Sequence, residues 1–213
     1  ARMPALQMIE GYTPPADLTR GRNMALGVGV LFTLLMIVGA FINRASFFHG
    51  YLVGYIFWDG ITVGSLALLM LQHLTGGAWG LVIRRVLEAS TRTLPLMILL
   101  FVPIIIGLNH IYPWTDAAVM GRTEALQKKA AAYLNPSFFI VRAAIYFAIW
   151  SALALVLNWL SLQQDKAAGR KVKKKMQMVS GPGLGFLILS VTFAAIDWGM
   201  SLDPAWYSTI YGL

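Results

Sequence analysis

The chain has 213 residues, a mass of 23.4 kDa and a net charge of +8, and it is 58% hydrophobic but only 12% charged, with a mean hydropathy of +0.66. Soluble domains carry about 25% charged residues, and the apolar residues here form blocks of bilayer length, which excludes a soluble domain, a disordered chain, a collagen and a coiled coil. The absence of cysteine removes disulfides, thiolate metal sites and covalently attached c-type haem, and leaves His49, His73 and His110 as the only imidazoles.

Residues 1–22, with Arg2, Glu10, Pro14, Pro15, Asp17, Arg20 and Arg22, hold no apolar run behind a basic start and read as a polar tail rather than a signal peptide. Residues 23–48 comprise a first span, Asn23 to Ile42, and its outer loop. Residues 49–213 supply four more spans, at about 50–74, 94–110, 137–160 and 183–202, each long enough for a hydrocarbon core of about 30 Å at 1.5 Å per residue. These runs are continuously apolar, so barrel strands are excluded. Tyr51, Trp58, Tyr112, Trp114, Trp159, Trp198 and Trp206 lie near their ends, as an interfacial aromatic belt does. The expected fold is therefore an all-α integral membrane protein of five transmembrane helices.

Two connections read as surface helices. Gly80 to Arg92 sets Leu81, Ile83, Val86 and Leu87 against Arg84, Arg85 and Glu88, the pattern of an amphipathic helix in the membrane interface. Asp116 to Leu134 reads as a second helix, ended by Asn135 and Pro136. Pro95, Pro103 and the Gly181-Pro182-Gly183 triplet read as kink and helix-start devices.

Lysine and arginine set the topology, because cytoplasmic flanks retain positive charge. Arg2, Arg20 and Arg22 in the tail, Arg84, Arg85 and Arg92 in the second connection, and Lys166, Arg170, Lys171, Lys173, Lys174 and Lys175 in the fourth lie on one side. The other side has Arg44, Arg122, Lys128 and Lys129. The N-terminus is thus expected in the cytoplasm. The run Lys171 to Lys175 reads as an anchor for lipid headgroups, not as a nucleic-acid site.

Charged side chains within a span cost roughly 2.5 to 3.5 kcal/mol at the bilayer centre and call for a reason. Three qualify: Asp59, about 13 Å below the outer end of its span, and Arg142 and Asp197, each about five residues from theirs. His49 and His110 fall at outer ends as well. At 100° per residue, Gly50, Gly54, Gly60 and Gly64 share one stripe of the second span, suited to close approach of a neighbouring backbone, while Tyr55, Asp59 and Thr62 point the opposite way. Arg142 shares a face with Tyr146, and Asp197 with Ser190 and Ser201. Inward-facing Asp59, Asp197 and Arg142 would share charge and leave one carboxyl to exchange protons. The same aspartate and arginine chemistry also makes a purely structural clasp. His49 and His110 form the one histidine pair at matched depth, at the membrane edge, which suits haem poorly.

The segments His49 to Gly64 (HGYLVGYIFWDGITVG), Trp79 to Pro95, Ala195 to Trp198 (AIDW) and Ser201 to Gly212 (SLDPAWYSTIYG) resemble the membrane subunits of alternative complex III. These belong to the NrfD/PsrC-like family of quinol-interacting proteins. The closing segment is most similar to ActF-type subunits rather than their ActC-type paralogues. The resemblance implies a ten-helix subunit of two four-helix bundles, of which five spans would be half: a peripheral first helix plus one NrfD-like bundle. It implies a place in a bacterial inner-membrane complex with an ActC-like paralogue, an iron-sulfur subunit, c-type cytochrome subunits and, in some assemblies, a terminal oxidase. The iron-sulfur clusters and haem c would sit in those partners and menaquinone or ubiquinone nearby, with no cofactor bound by this chain. The function so implied is that of a non-redox subunit supporting assembly and a proton-exchange path. Asp59 and Asp197 would be its carboxyls, His49 and His110 would lie at the outer mouth, and Arg142, Tyr146 and Tyr55 would be partners. Two alternatives stand beside it: a quinol-oxidising subunit in which His49 and Asp59 take the two quinol protons, and a structural scaffold. On the cytoplasmic side His73, Gln72, Ser151 and Asn158 are the polar steps available to a path.

Overall fold

The computed structural model describes residues 16–76, 79–80, 82–166 and 170–205. The tail up to residue 15, Leu81 and the closing segment from Trp206 lie outside the described residues. The chain divides into two units, Ala1–Phe47 and Phe48–Leu213.

All regular structure among the described residues is helical. The helices are α1 (Ala16–Ile42), α2 (Arg44–Thr75), α3 (Arg84–Thr91), α4 (Leu94–Ile106), α5 (Leu108–Ile111), α6 (Ala117–Met120), α7 (Glu124–Ala132), α8 (Pro136–Lys166) and α9 (Arg170–Trp198), with 3-10 turns at Pro113–Thr115 and Met200–Leu202. Among the described residues four stretches are long and apolar enough to cross a membrane: Thr19–Ile42, Arg44–Thr75, Pro136–Gln164 and Lys171–Leu202.

Local chemistry accounts for the helix boundaries. Among the described residues of the first unit, α1 is predominantly apolar on every side from Met24 onward, as suits a helix surrounded by lipid or other helices. The expected outer loop after it is corrected. Helix α2 begins at Arg44, leaving Asn43 as the linker, because its side-chain Oδ1 accepts the Ser46 N–H at 3.1 Å. The segment Asp116 to Leu134 is two helices rather than one. Asp116 accepts the Ala118 N–H at 2.8 Å to start α6, and Thr123 accepts the Leu126 N–H at 3.3 Å to start α7. Asn135 does the same for α8, accepting from Phe138 at 2.9 Å with Pro136 in the first turn, where its missing N–H costs nothing.

Two helix ends depart from expectation. The third span does not run to His110, because α4 stops at Ile106. Gly107 follows directly, and a Cβ there would sit 2.3 Å from the Phe48 ring. At 13 residues α4 is about 20 Å long. It meets α3 at a bend of 41°. Gly181-Pro182-Gly183 does not start the last helix either, since α9 runs through it from Arg170. The glycines make room instead: a Cβ on Gly183 would lie 2.8 Å from Leu153 of α8 and 3.1 Å from Met70 of α2. The exposed side chains of Lys171, Lys173, Lys174 and Lys175 therefore stand on the first turns of a long helix.

Within the second unit the contacts pair helix ends. Phe48 of α2 meets His110, just past α4, with ring centres 5.4 Å apart. Tyr112 donates to the Trp198 carbonyl at the end of α9 (3.1 Å) and packs on Phe139 at the start of α8. We call this the Trp114 end. At the other, the Glu88 end, Ser161 late in α8 bonds Glu88 of α3, and His73 late in α2 meets Ser180 early in α9 at 3.4 Å. The core between them is aromatic: Tyr55, Phe101, Tyr146, Phe147 and Trp150 all have ring centres within 6.3 Å of Trp198.

Candidate functional site: two carboxyls with opposite surroundings

Asp197 and Arg142 form a closed ion pair near the Trp114 end. Arg142 Nε donates to Asp197 Oδ2 at 2.8 Å and Nη2 to Oδ1 at 2.9 Å, the bidentate geometry that a planar guanidinium allows. Tyr146 Oη, one turn along α8 from Arg142, donates to the same Oδ2 at 2.8 Å. The third arginine nitrogen donates to the Tyr133 carbonyl at 3.0 Å, and the guanidinium stacks 3.8 Å over the Tyr133 ring and 4.4 Å from that of Phe138. Ser201 donates to the Asp197 main-chain carbonyl and accepts from Trp114 Nε1 at 3.1 Å, tying the clasp to the turn after Tyr112. Asp197 is 1% exposed, and both its oxygens are used.

Asp59 is also buried, at 5% exposed, but Oδ1 has no hydrogen-bond partner. Its neighbours on the same face of α2 are committed elsewhere. Tyr51 donates to the Leu100 carbonyl at 2.6 Å, Tyr55 to the Met97 carbonyl at 3.3 Å, and Thr62 Oγ1 lies 3.0 Å from Thr93 Oγ1. Tyr55 and Thr62 therefore face α4 and its first turn, while Asp59 on the same stripe also borders α9. Beside Asp59 a groove of about 490 Å³ opens between α2 and α9, with Trp150 and Trp198 at its base. The glycine stripe is corrected: a Cβ on Gly50, Gly54, Gly60 or Gly64 would meet nothing within 4 Å, so it holds no close backbone here, and Gly60 and Gly64 line the groove.

His49 and His110 are both exposed at the Trp114 end. His49 precedes Asp59 by ten residues on one helix, about 15 Å along the axis.

Helix α3 forms where the amphipathic connection was expected, but its polarity differs from expectation. Val86 is exposed and Glu88 is 2% exposed. Glu88 accepts from Arg84 Nε at 2.8 Å, from Arg85 Nη1 at 2.9 Å and from Ser161. Burial alone would raise its carboxyl, but these hydrogen bonds and the Arg84 charge hold it below its ordinary range. Next to it, Asn158 Nδ2 donates to Thr91 Oγ1 at 2.9 Å, and Asn158 Oδ1 accepts from Arg92 at 3.1 Å. Sequence reasoning confined to the spans passed over Glu88; the three- and four-residue spacings from Arg85 and Arg84 were the signal. Of the other polar steps, Gln72 and His73 are buried, His73 Nε2 and Ser151 Oγ lack partners, and Ser65 and Ser190 return their hydroxyls to their own helices. Among the described residues no group of three or more His, Asp or Glu is placed to hold a metal. No family model and no curated protein matches the chain.

Proposed function

We propose that the chain is a non-redox membrane subunit of a quinol:electron-acceptor oxidoreductase of the alternative complex III type, and that Asp59 is its proton-exchanging group. In this reading the protein crosses the bacterial inner membrane five times from a cytoplasmic N-terminus. α4, with the turns that flank it, makes the short third crossing, and α2, α4, α8 and α9 form a four-helix bundle. Electrons stay on the iron-sulfur and haem partners, with menaquinone or ubiquinone as donor.

The observation that carries the proposal is the asymmetry between the two carboxyls. Asp197 has both carboxylate oxygens held, by a guanidinium and a phenol, the arrangement of a structural clasp. Asp59 keeps one buried oxygen unsatisfied in a residue that lines an open groove, and a buried carboxyl with an oxygen not tied to a fixed partner is the one better able to change protonation without dismantling the fold. The sequence-based expectation of two exchanging carboxyls is thereby narrowed to one. Toward the Glu88 end, the Thr62 and Thr93 hydroxyls and then Thr91, Asn158 and Glu88 supply polar steps.

Infrared difference spectra of the assembled complex, recorded between its quinol-reduced and oxidised states, test this. We expect a change in a carboxyl stretching band that Asp59→Asn removes. Spectra identical in the two proteins would refute the assignment.

A further inference from the structure

Helix α3 turns a different chemistry to each side. Inward it presents Glu88, clasped by Arg84 and Ser161. Outward it presents a strip of exposed apolar residues, Val86 and Ala89, preceded by Val82 in the turn before the helix and followed on α4 by Leu96 and Leu99. Val82 is 86% exposed and Val86 68%. Along one flank of the strip stand Arg85 and Arg92, both exposed. Two helical turns, about 10.5 Å, separate them, so they lie on the same side of the helix. Each is braced from behind: Arg85 Nη1 donates to Glu88 Oε2 at 2.9 Å, and Arg92 Nε donates to Asn158 Oδ1 at 3.1 Å. Bracing fixes where a guanidinium points, so less rotamer freedom is lost when an anion arrives. Arg84, Arg85 and Arg92 against the single Glu88 leave α3 and its cap net positive. At the same end of the unit, Lys171, Lys173, Lys174 and Lys175 are exposed on α9.

We infer that this face binds an anionic phospholipid of the leaflet at the Glu88 end, its phosphate on the Arg85 and Arg92 row and an acyl chain along Val86, Ala89 and α4. Polarity decides the occupant. A row of arginines beside a strip of exposed valines matches a molecule with a negative head and an apolar tail. An acidic protein segment would meet the charge and leave the valines uncovered. A zwitterionic lipid would cover the strip and gain nothing from the net positive charge. The 41° bend between α3 and α4 carries the strip from the headgroup level toward the hydrocarbon, and the lysines of α9 raise the local concentration of the same lipid. The inference uses the passage of the chain through a membrane and neither its place in an oxidoreductase nor proton exchange at Asp59, so it holds or fails apart from them.

The chain has no cysteine, so Val86→Cys supplies a unique site for a bimane fluorophore. The labelled chain in phosphatidylcholine vesicles is titrated with brominated phosphatidylglycerol or brominated phosphatidylcholine as quencher. We expect the anionic lipid to be preferred at Val86 by about fivefold or more. The preference should be lost on adding Arg85→Gln with Arg92→Gln, and it should shrink in about 1 M salt, where charges are screened within about 3 Å. A label at Val53→Cys, exposed toward the Trp114 end of α2, should show no preference. Glutamine keeps a donor for Glu88 and Asn158, and unchanged quenching by brominated phosphatidylcholine checks that the double variant is folded. The salt series needs no variant, so it decides the matter even if the double variant fails to insert. Equal quenching by the two lipids at Val86, an equal preference at Val53, or a preference that survives both the substitutions and the salt would overturn the inference.

Discussion

Arg142→Ala should destabilise the purified chain by about 3 to 5 kcal/mol, the usual consequence of removing one member of a buried ion pair. The substitution leaves Asp197 at 1% exposure with only the Tyr146 hydroxyl on its carboxylate, and it also removes the stacking on Tyr133 and Phe138 and the bond to the Tyr133 carbonyl. Arg142→Lys should recover only part of the loss, because an ammonium cannot make the two parallel bonds to Oδ1 and Oδ2. Adding Asp197→Ala to Arg142→Ala should restore more stability than independent effects allow, since it deletes the stranded charge. Equilibrium unfolding in detergent micelles measures all three. A loss below about 1 kcal/mol for Arg142→Ala would mean that the clasp does not hold the Trp114 end together.

Asp59→Leu should act in the opposite sense. Replacing a buried carboxyl that has an unsatisfied oxygen with an apolar side chain of similar volume removes a desolvation cost, so the variant should be more stable by about 1 to 3 kcal/mol in the same assay. At the same time it should abolish any proton exchange at this position. A residue whose removal stabilises the fold and impairs its work is the mark of a functional site. If Asp59→Leu destabilised the chain as strongly as Arg142→Ala, Asp59 would be a packing residue.

These opposite signs are the part of the site that the sequence could not supply. Hydropathy blocks located the long helices, and the cost of intramembrane charge singled out Asp59, Arg142 and Asp197 at once. Their partnership was hidden. Periodicity places Arg142 and Tyr146 on one face of α8 and Asp59 on one face of α2, but the rotation of each helix against its neighbours decides which carboxyl the guanidinium reaches, and that rotation comes from the packing of Trp150, Trp198 and Phe101. The groove was hidden for the same reason, because it exists only where α2 and α9 diverge. Gly60 and Gly64 were legible as a small-residue stripe, yet nothing local says whether such a stripe is filled. Pro182 misled because a proline-glycine triplet usually marks a boundary, whereas here contacts to Leu153 and Met70 hold the helix through it. Glu88 escaped because it lies outside the apolar runs and is buried by a helix that only tertiary structure lays against α8.

The central claim is that Asp59 alone carries the proton function. Its most direct test is proton release per quinol oxidised by the assembled complex carrying Asp59→Asn, measured beside the wild type with assembly verified. We predict that the variant complex assembles and releases markedly fewer protons per quinol. Wild-type quinol oxidation with wild-type proton release in a fully assembled Asp59→Asn complex would contradict the account.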